Sequence, residues 1–507
     1  MAPAGRDVRL MALLLTCVAC SGDAGETEAG TDAPTSEPVA LAYEADPEVI
    51  LYPAQPMVVD VALALTRPGA VTIEHASDDG VRSGRIDDEA DAPSASPWVR
   101  VRGLLPDAEH TLRITVVGDD GEALPERLVT LRTPPPLPGF VAAFEVEGEI
   151  VGAAPALRLF DLIELPTPAR SSVFMVDREG RTRWHASAPV HATWAEGVAA
   201  GVSLRGDGTL SFVREGEFYV IDELGAVTSH VTPAQLDVPW LHHDVIELPS
   251  GRFLALAWVF RDVEYPDEGA LRVAGDRLVE FDADGEVYWT WDSFDHLDPQ
   301  RRRDGFELLI PGFDGGAPAQ DWTHANGVIH DPRDDSVLVS MRHQDWILKI
   351  DRASGAIAWR LGMEGDLSLE PSGPEGEVRW FCHQHSPQWQ PDGTLLVYDN
   401  GVGNPDIPDE EETSRAVGYA IDEEAMTARV AWVDDEPAFV SALGGDVERM
   451  PGGHLLVLDS LYFDGDIRPR LRELDAAGAR RWALHLPPGR FAYRATAWAR
   501  LVGEVSL

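Results

Sequence analysis

The sequence predicts an all-β protein, and two observations indicate this class. Short runs of alternating apolar and polar residues, separated by turn residues, recur along the chain from residue 43 onward. From about residue 140 a turn of the form Asp-x-x-Gly also recurs, and no helical pattern separates its copies. The chain has 507 residues, of which 44% are apolar, so two folded units with substantial cores are expected.

The first 42 residues are predicted to lie outside the folded units. Residues 1–20 place two arginines before the apolar run LMALLLTCVAC, which is typical of a secretory signal and too short for a membrane span. Because Cys20 follows a small residue at the end of this run, we expect a lipoprotein signal with Cys20 acylated. Acylation of Cys17 and plain secretion are the alternatives. Residues 21–42 are small, polar and acidic, as in a disordered linker.

Residues 43–135 predict a small antiparallel β-sandwich. Its alternating runs are MVVDVALAL, AVTIEHAS, PWVRVRGLLPDAEHTLRITVVGDDG and RLVTLRTPPP. The stretch VRGLLPDAEHTLRITVVGDDG resembles the fibronectin type III signature, with His110 where an aromatic residue, usually tyrosine, is typical. TPPPLPG then forms a stiff linker. We expect this unit to be a spacer or packing module without catalytic residues.

Residues 140–507 repeat one structural unit. Its Asp-x-x-Gly turns are VDREGRTRW, IDELGAVTS, FDADGEVYWTW, IDRASGAIAW, LDAAGARRW and a looser IDEEAMTARVAW. A second element precedes most copies and pairs two strands through a tight turn, as in LPSGRFLALAW and QPDGTLLVYDN. Repeated four-stranded units without helices predict a β-propeller. Six blades fit the count of turns, and seven blades are the alternative.

Composition excludes several kinds of partner and site. Asp and Glu total 86 against 41 Lys and Arg, a formal charge of −45, so the surface repels polyphosphates and nucleic-acid binding is not expected. Cys382 is the one cysteine after the signal, which excludes an internal disulfide and a cysteine metal cluster. No other stretch is apolar enough to cross a membrane, so membrane contact is expected through the lipid anchor alone.

Three successive predicted blades carry a histidine at the same place: His243, His324 and His385. The first strand of a blade lines the central channel, and the second strand returns beside it. The start of the first strand and the end of the second therefore lie at one mouth. His324 and Asn326 open such a first strand, and Arg342 ends the strand paired with it. We expect these side chains to converge on one mouth as a shared site.

The sequence does not decide which of the neighbouring histidines face the channel. His242 and His243 are adjacent, so the alternation of a strand turns only one of them inward. His383 lies two residues before His385 and can share its face.

Three other features are predicted to be structural. We expect His330 and His343 to lie off this face or at its edge. The basic run RRRD at 301–304 is predicted to be a solvated loop, with attraction of an anion as the alternative.

Several of these motifs together resemble one family. HHD at 242–244, HANGV at 324–328, SMR at 340–342 with IDRASGAIAWRLG, and QHSPQW with DGTLLVYDNG are similar to the bacterial arylsulfotransferases, which use no nucleotide sulfate donor. The resemblance covers roughly residues 140–507. It implies a six-bladed propeller, placement in the periplasm, and transfer of a sulfuryl group between phenols through a sulfated histidine. With the predicted lipoprotein signal, the expected location is the cell envelope, in the periplasm or at the outer membrane, with secretion as the alternative.

The resemblance also implies roles for individual residues. His385 is the nucleophile, His243 and His324 are the supporting histidines, and Asn326 and Arg342 hold the sulfuryl oxygens.

Two further family features are compared with this chain. Ser441, in AFVSALGGDVERM, is the nearest match to a substrate-binding hydroxyl residue that the family uses late in the propeller. Enterobacterial members carry an N-terminal β-sandwich domain, which residues 43–135 match loosely, and a disulfide, which this chain cannot form.

This chemistry suits the residue types. Sulfuryl transfer resembles phosphoryl transfer, with a loose in-line transition state and charge on three peripheral oxygens. Arg342 offers a planar donor fork for such an oxyanion, and Asn326 offers a neutral donor. A neutral imidazole is a nucleophile near pH 7, and a second imidazole can exchange protons with the phenols. No metal or other cofactor is required, and the expected partners are an aryl sulfate and a phenol.

Two other functions compete with this hypothesis. Histidines around a propeller axis can hold iron, zinc or copper in a metal-dependent oxygenase or lyase, although the neighbouring Arg342 disfavours a divalent ion. A non-catalytic propeller anchored at the surface could instead bind ligands or proteins, a role that the sandwich and the lipid anchor suit.

Overall fold

Strands form nearly all of the regular structure, which confirms the predicted all-β class. The computed structural model describes residues 39–77, 80, 83–87, 93–148, 155–164, 170–189, 199–371, 379–405, 407–434, 436–464 and 466–502. The predicted signal with Cys20, and all but the last residues of the predicted linker, lie outside this part of the chain. No helix in the described ranges has the length and apolarity of a membrane span.

Helical structure is limited to four short segments of the described chain. They are the α-helix α1 (Ser293–His296) and the 3₁₀ turns Pro233–Gln235, Arg342–Gln344 and Asp409–Glu411.

The N-terminal strands form two antiparallel sheets. The first has the order β1 (Glu48–Leu51), β2 (Val58–Ala62), β5 (Trp98–Arg102). The second has the order β4 (Ser83–Asp87), β3 (Gly69–Ser77), β6 (Glu109–Gly118), β7 (Arg127–Arg132). Buried and exposed residues alternate along β6, as predicted, and the buried side chains of both sheets share one core. His110 bonds through Nε2 to the Leu105 carbonyl at 3.0 Å, which fixes the turn before β6.

Six further sheets follow along the described chain, and we number them 1 to 6. Sheet 1 contains β9 (Leu157–Glu164), β10 (Arg170–Asp177) and β11 (Thr182–Pro189), with the C-terminal β35 (Arg490–Phe491) and β36 (Ala495–Trp498) on β9. Sheet 2 contains β12 (Ala200–Leu204), β13 (Leu210–Arg214), β14 (Glu217–Ile221) and β15 (Val227–Val231). Sheet 3 contains β16 (Leu241–Glu247), β17 (Phe253–Tyr265), β18 (Gly269–Phe281) and β19 (Val287–Asp292), with β20 (Leu309–Ile310) and β21 (Ala319–Asp321) added beside β18.

The remaining sheets repeat this pattern. Sheet 4 contains β22 (Ala325–Asp331), β23 (Ser336–Met341), β24 (Trp346–Ile350) and β25 (Ile357–Gly362). Sheet 5 contains β27 (His385–Trp389), β28 (Thr394–Asp399), β29 (Arg415–Asp422), β30 (Thr427–Val433) and β26 (Ser368–Glu370). Sheet 6 contains β31 (Asp446–Arg449), β32 (Leu455–Asp464), β33 (Asp466–Leu474), β34 (Arg480–His485) and β8 (Glu145–Gly148).

The recurrent Asp-x-x-Gly turns join the last two strands of the repeat. In sheet 2, Asp222 Oδ1 accepts the N–H groups of Leu224 and Ala226 at 2.9 and 2.8 Å. Gly225 lies at φ 78°, in the left-handed region that this tight turn requires. The carboxylate therefore replaces backbone partners inside the turn, which explains why aspartate recurs there.

Apolar cores lie between successive sheets. One core joins sheets 3 and 4, and a similar core joins each other neighbouring pair along the chain. A further core joins sheet 6 to sheet 1 and contains Phe160, Phe174, Leu458 and Trp482. The first strand of each sheet also contacts the first strand of the next. This succession is consistent with a propeller-like architecture.

Irregular backbone marks the first strands of sheets 2 to 5. Each has a register shift near its start, where an extra residue interrupts the pairing. His243, His324 and Ser386 have left-handed φ values of 56°, 48° and 50° at these places. Such conformations are costly for residues other than glycine and turn the side chain out of the regular alternation. They aim imidazoles at the point where the first strands meet.

Candidate active site

The three predicted histidines come together where the first strands of sheets 3, 4 and 5 meet. The ring centroids of His243 and His324 are 4.7 Å apart. The ring of Tyr493 lies 5.7 Å from that of His243 and 6.1 Å from that of His385. His385 is buried, and the three imidazoles with Tyr493 form one cluster.

His243 is the member of its pair that faces the cluster. His242 stacks instead on Trp258, with ring centroids 3.9 Å apart, and its Nε2 lies 3.0 Å from Asp276 Oδ1. The Nδ1 atoms of the two histidines are 2.7 Å apart, whereas the His242 Nε2 and Asp276 Oδ1 atoms lack hydrogen-bond geometry.

His385 is held by an amide that the sequence did not single out. Its Nδ1 lies 2.6 Å from Asn400 Oδ1. The Asn400 Nδ2 donates to the carbonyls of Ser441 and Gly444 at 2.6 and 2.9 Å, so the orientation of the amide is fixed. An amide oxygen only accepts, and the hydrogen of the imidazole is therefore on Nδ1 and the lone pair on Nε2.

His385 is also kept neutral by its surroundings. Burial lowers its pKa well below the usual 6.5, and the positive charges of Arg342 and Arg494 lower it further. A neutral imidazole with a free Nε2 lone pair is the form that a nucleophilic histidine needs.

His324 has a carboxylate partner. Its Nδ1 lies 2.5 Å from Asp321 Oδ2, and Asp321 is buried. Burial lowers the pKa of His324, whereas the Asp321 carboxylate raises it, and the net shift is downward. His324 therefore differs from His385 in having an anion that can stabilise its protonated form.

His343 lies against His324, at the cluster rather than off its face, whereas the sequence predicts a place off this face or at its edge. Its ring centroid is 4.5 Å from that of His324, and the residue is fully buried. Its Nδ1 faces the Asp321 carbonyl at 3.1 Å, and its Nε2 accepts from Arg342 Nη1 at 2.6 Å. His330, by contrast, pairs with the exposed Asp335 away from the cluster, as expected for a structural residue.

Arg342 brings a buried positive charge to the cluster. It follows β23, at the start of the 3₁₀ turn, and its Nη2 reaches the Ala442 carbonyl at 3.4 Å. Within the described residues no carboxylate oxygen lies within 4.0 Å of its guanidinium, and its buried Nε has no hydrogen-bond partner. A buried cation without a direct counter-ion is costly unless it serves an anion.

Arg302 and Asp304 of the run 301–304 are exposed, as predicted, whereas Arg301 and Arg303 support this turn. Arg301 donates to the Gln344 carbonyl at 3.0 Å, and Arg303 pairs with Asp345 at 2.7 Å. Both contacts hold the 3₁₀ turn that begins with Arg342.

Asn326 and Ser441 are partly engaged within the fold. Asn326 is buried, and its Nδ2 donates to the Gln384 carbonyl at 2.7 Å, which leaves its second amide hydrogen. Ser441 Oγ accepts from the N–H of Leu461 at 3.0 Å. The Ser441 carbonyl is one of the two that orient Asn400.

A buried arginine from the C-terminal strand region lies beneath the cluster. Arg494 donates to the carbonyls of Asn326 in sheet 4 and Gly445 before sheet 6, at 2.7 and 3.2 Å. Burial lowers its pKa, but Tyr493 and the buried Asp244, Asp446 and Asp161 raise it, and the net shift is upward. Arg494 therefore lies between several of the sheets, near their common centre. No motif in the sequence predicted this position.

Two groups of side chains bring possible metal-ligand atoms within 4.8 Å of one another. The first contains Asp321, His324 and His343. Arg342 donates to His343 Nε2, so the hydrogen of that ring is on Nδ1 and points at the Asp321 carbonyl. A protonated nitrogen cannot bind a metal, and this group does not fit one in the arrangement observed.

The second group contains Asp345, Cys382 and His383. Asp345 is already paired with Arg303. Burial raises the pKa of the Cys382 thiol far above its usual value, with the Asp345 charge as a second cause. A metal requires the thiolate, so this group does not fit a metal either.

Comparison with known proteins gives the same family as the sequence motifs. A family model described as Arylsulfotransferase (ASST) matches residues 125–481. Arylsulfate sulfotransferase AssT of Escherichia coli O6:H1 is 27% identical over 333 residues, and the match covers 53% of each protein. Its counterpart from Lelliottia amnigena is 26% identical over 337 residues, again covering 53% of each. The chain thus spans about half the length of the curated relatives it matches.

Among solved structures, a protein of unknown function from Bacteroides caccae has a TM-score of 0.39 and 13% sequence identity, covering 66% of this chain and 94% of that one. The family model spans more than half of the chain, and the chain therefore belongs to the arylsulfotransferase family.

Proposed function

We propose that the chain transfers a sulfuryl group from an aryl sulfate ester to a phenolic acceptor, with His385 carrying the group in between. The observation that carries this proposal is the state of His385. Its Nδ1 is engaged by Asn400, its Nε2 keeps the lone pair, and Arg342 lies close enough to lower its pKa. A neutral nucleophile beside a cation without a direct counter-ion suits attack on an anionic ester.

The donor half of the reaction forms one bond and breaks one. The Nε2 lone pair of His385 forms the N–S bond while the S–O ester bond breaks, and its electron pair leaves on the phenolic oxygen. Arg342 and the second amide hydrogen of Asn326 stabilise the negative charge of the three sulfuryl oxygens. Ser441 contributes through its carbonyl, which keeps Asn400 in place.

The acceptor half reverses these steps. The oxygen of the incoming phenol attacks sulfur, and the electrons of the N–S bond return to Nε2 of His385. A proton must reach the first phenoxide and leave the second phenol. His243 and His324 adjoin each other in the cluster and provide the groups that move it.

The rim of the site favours aromatic substrates. Leu308 and Val440 are large apolar residues with 55 and 42% of their surfaces exposed. The Leu308 carbonyl accepts the N–H of Asp321 at 3.0 Å, and Val440 adjoins Ser441. Apolar surface around a polar centre provides contacts for a phenyl ring while its sulfate reaches Arg342.

The domain boundaries and the placement in the cell belong to the same proposal. Sheets 1 to 6, within residues 140–507, would be the six blades of a β-propeller, supported by the apolar core that joins sheet 6 to sheet 1. Residues 43–135 would be a fibronectin type III-like sandwich, supported by the His110 contact at the turn before β6. Residues 1–20 would direct export, and acylated Cys20 would anchor the protein in the cell envelope.

Intact-mass measurement tests the proposed intermediate. After brief exposure to 4-nitrophenyl sulfate, we expect one added sulfuryl group that acid removes. His385→Ala should remove both this adduct and turnover while the circular dichroism spectrum stays unchanged. His330→Ala, which alters a histidine paired with Asp335 away from the cluster, is the control and should keep both. An adduct that persists in His385→Ala would refute the assignment.

A further inference from the structure

We propose that Asn400 and Asp321 divide the chemistry between two imidazoles: Asn400 makes His385 the nucleophile, and Asp321 makes His324 the proton carrier. This inference rests on the proposed function and adds two positioning residues to it. The two imidazoles have partners of nearly the same shape and opposite character. An amide oxygen faces His385 Nδ1 at 2.6 Å, and a carboxylate oxygen faces His324 Nδ1 at 2.5 Å.

The amide partner keeps His385 neutral. The Asn400 amide carries no charge, so it gives the imidazolium form little stabilisation. The two carbonyls that accept from its Nδ2 prevent the amide from rotating. Rotation would aim an N–H at His385 Nδ1 and leave both carbonyls without their donor. His385 thus keeps its hydrogen on Nδ1 and its lone pair on Nε2.

The carboxylate partner allows His324 to bind and release a proton. The Asp321 backbone is held in place, because its N–H donates to the Leu308 carbonyl at 3.0 Å and its own carbonyl faces His343 Nδ1. A buried aspartate against Nδ1 orients an imidazole and stabilises the imidazolium that forms during a reaction. The Nε2 of His324 is then the atom that exchanges the proton.

Other charged and titratable groups also surround the two rings. Those facing His385 are Arg342, Arg494, His324, His243 and Tyr493. Those facing His324 are Asp321, His343, Arg342 and His243, with Asp276 bonded to the N–H of the following residue. The positive charge of Arg342 therefore acts on both rings, and Asp321 is the carboxylate hydrogen-bonded to either of them in the described chain.

The proton steps then balance across the two half-reactions. In the first, the imidazolium form of His324, which Asp321 stabilises although burial lowers the pKa overall, gives its Nε2 hydrogen to the departing phenoxide and becomes neutral. In the second, neutral His324 takes the hydrogen of the acceptor phenol as its oxygen attacks sulfur. The enzyme returns to its starting state without another reactant.

Two isosteric substitutions, Asp321→Asn and Asn400→Asp, test the roles of the two partners separately. Asp321→Asn removes the charge behind His324, so departure of a basic phenoxide should slow by about 10²–10⁴-fold with phenyl sulfate. With 4-nitrophenyl sulfate, whose phenoxide leaves without a proton, the rate should change less than about tenfold. Asp335→Asn is the control, because it alters a similar Asp–His pair away from the cluster.

The reciprocal variant should change the pH profile. Asn400→Asp places a carboxylate behind His385 and favours its imidazolium form, which lacks the lone pair. The rate of sulfuryl adduct formation should then fall as pH decreases, by about tenfold per unit below the new pKa, and recover at higher pH. A purely structural role would lower this rate equally at every pH.

The outcomes distinguish this inference from the proposed function. If the unsubstituted protein forms no adduct on His385, the proposed function fails. If it forms the adduct but Asp321→Asn slows both donors alike, or Asn400→Asp keeps the original pH profile, the division of tasks is wrong. Should Asn400→Asp fail to fold, the leaving-group dependence of Asp321→Asn decides alone.

Discussion

At the scale of single residues, the hydrogen-bond partner determines what each histidine can do. His385, His324 and His243 are the same residue type, within one cluster. Their Nδ1 atoms face an amide, a carboxylate and another imidazole, respectively. These partners set the tautomer and the ease of protonation of each ring. The residue type predicts a site built of imidazoles, and the hydrogen-bond partners predict which chemical role each imidazole has.

Removal of the Arg342 side chain should weaken transfer without unfolding the protein. Its guanidinium lacks a carboxylate within 4.0 Å among the described residues, so Arg342→Ala leaves no such partner unpaired. We expect kcat to fall by about 10²–10³-fold, as for loss of one oxyanion donor. Single-turnover kinetics with 4-nitrophenyl sulfate measures this fall.

The control for this variant is Arg302→Ala. Arg302, in the nearby basic run, pairs with Glu268, and its side chain is 34% exposed. An equal loss of rate in both variants would mean that general positive charge, rather than the position of Arg342, assists the reaction.

At the scale of strands, the irregular first strands combine site geometry with sheet packing. Gly201, in β12, lies at φ 64°, and a Cβ there would meet the backbone nitrogen of Val245 at 2.5 Å. Val245 follows His243 and Asp244 in the bulge of β16. The close approach of sheets 2 and 3 therefore helps to hold the backbone that aims His243.

Two glycine substitutions separate backbone conformation from close packing. Gly251 has a similar φ of 79°, but a Cβ there would meet nothing within 4 Å. Gly251→Ala should cost about 1 kcal/mol through conformation alone. Gly201→Ala should cost more, because Val245 must also shift. Chemical denaturation measures both, and equal losses would contradict a packing role for Gly201.

The sequence predicts the elements better than their irregularities. Turn residues and alternation locate the strands, and the equivalent places of His243, His324 and His385 in successive repeats locate the shared site. Strict alternation also places His324 and Asn326 on one face, but the left-handed φ of His324 and the bulge between Ala325 and Gly327 disrupt that pattern. A bulge depends on the neighbouring sheet, so local pattern does not reveal it.

At the scale of the whole molecule, partners far apart in the chain complete both the fold and the site. His385 and Asn400 come from one sheet, whereas Arg494 approaches from the end of the chain. Arg494 lies in no recognised motif. It reaches the site because the next strand, β36, pairs with β9 of sheet 1. Such long-range partners could not be predicted from residue spacing.

One buried ion-pair network connects the N-terminal sheets to sheet 2. Arg100 and Arg102 of β5 both reach Glu223, at 2.5 and 2.6 Å, and Glu223 lies in the turn after β14. Glu223→Gln removes the charge between two guanidinium groups. We expect a loss of about 3–5 kcal/mol, the scale for breaking a buried pair, and a separate melting transition in calorimetry.

Glu126→Gln is the matched control for this substitution. Glu126 pairs with Arg113 at 2.6 Å, and both side chains are largely exposed. Its loss should cost less than about 1 kcal/mol. A single melting transition in Glu223→Gln, with stability close to that of the control, would show that this network does not couple the two regions.

The position of Arg494 affects how the proposed substrates enter and leave the site. Arg494 and its three neighbouring carboxylates are buried beneath the imidazoles, with Arg494 donating to carbonyls of opposing sheets. We expect this buried group to block passage along the axis of the sheets. The proposed donor and acceptor would then share one entrance, so the first phenol would have to leave before the second enters, and an excess of either should inhibit the reaction of the other.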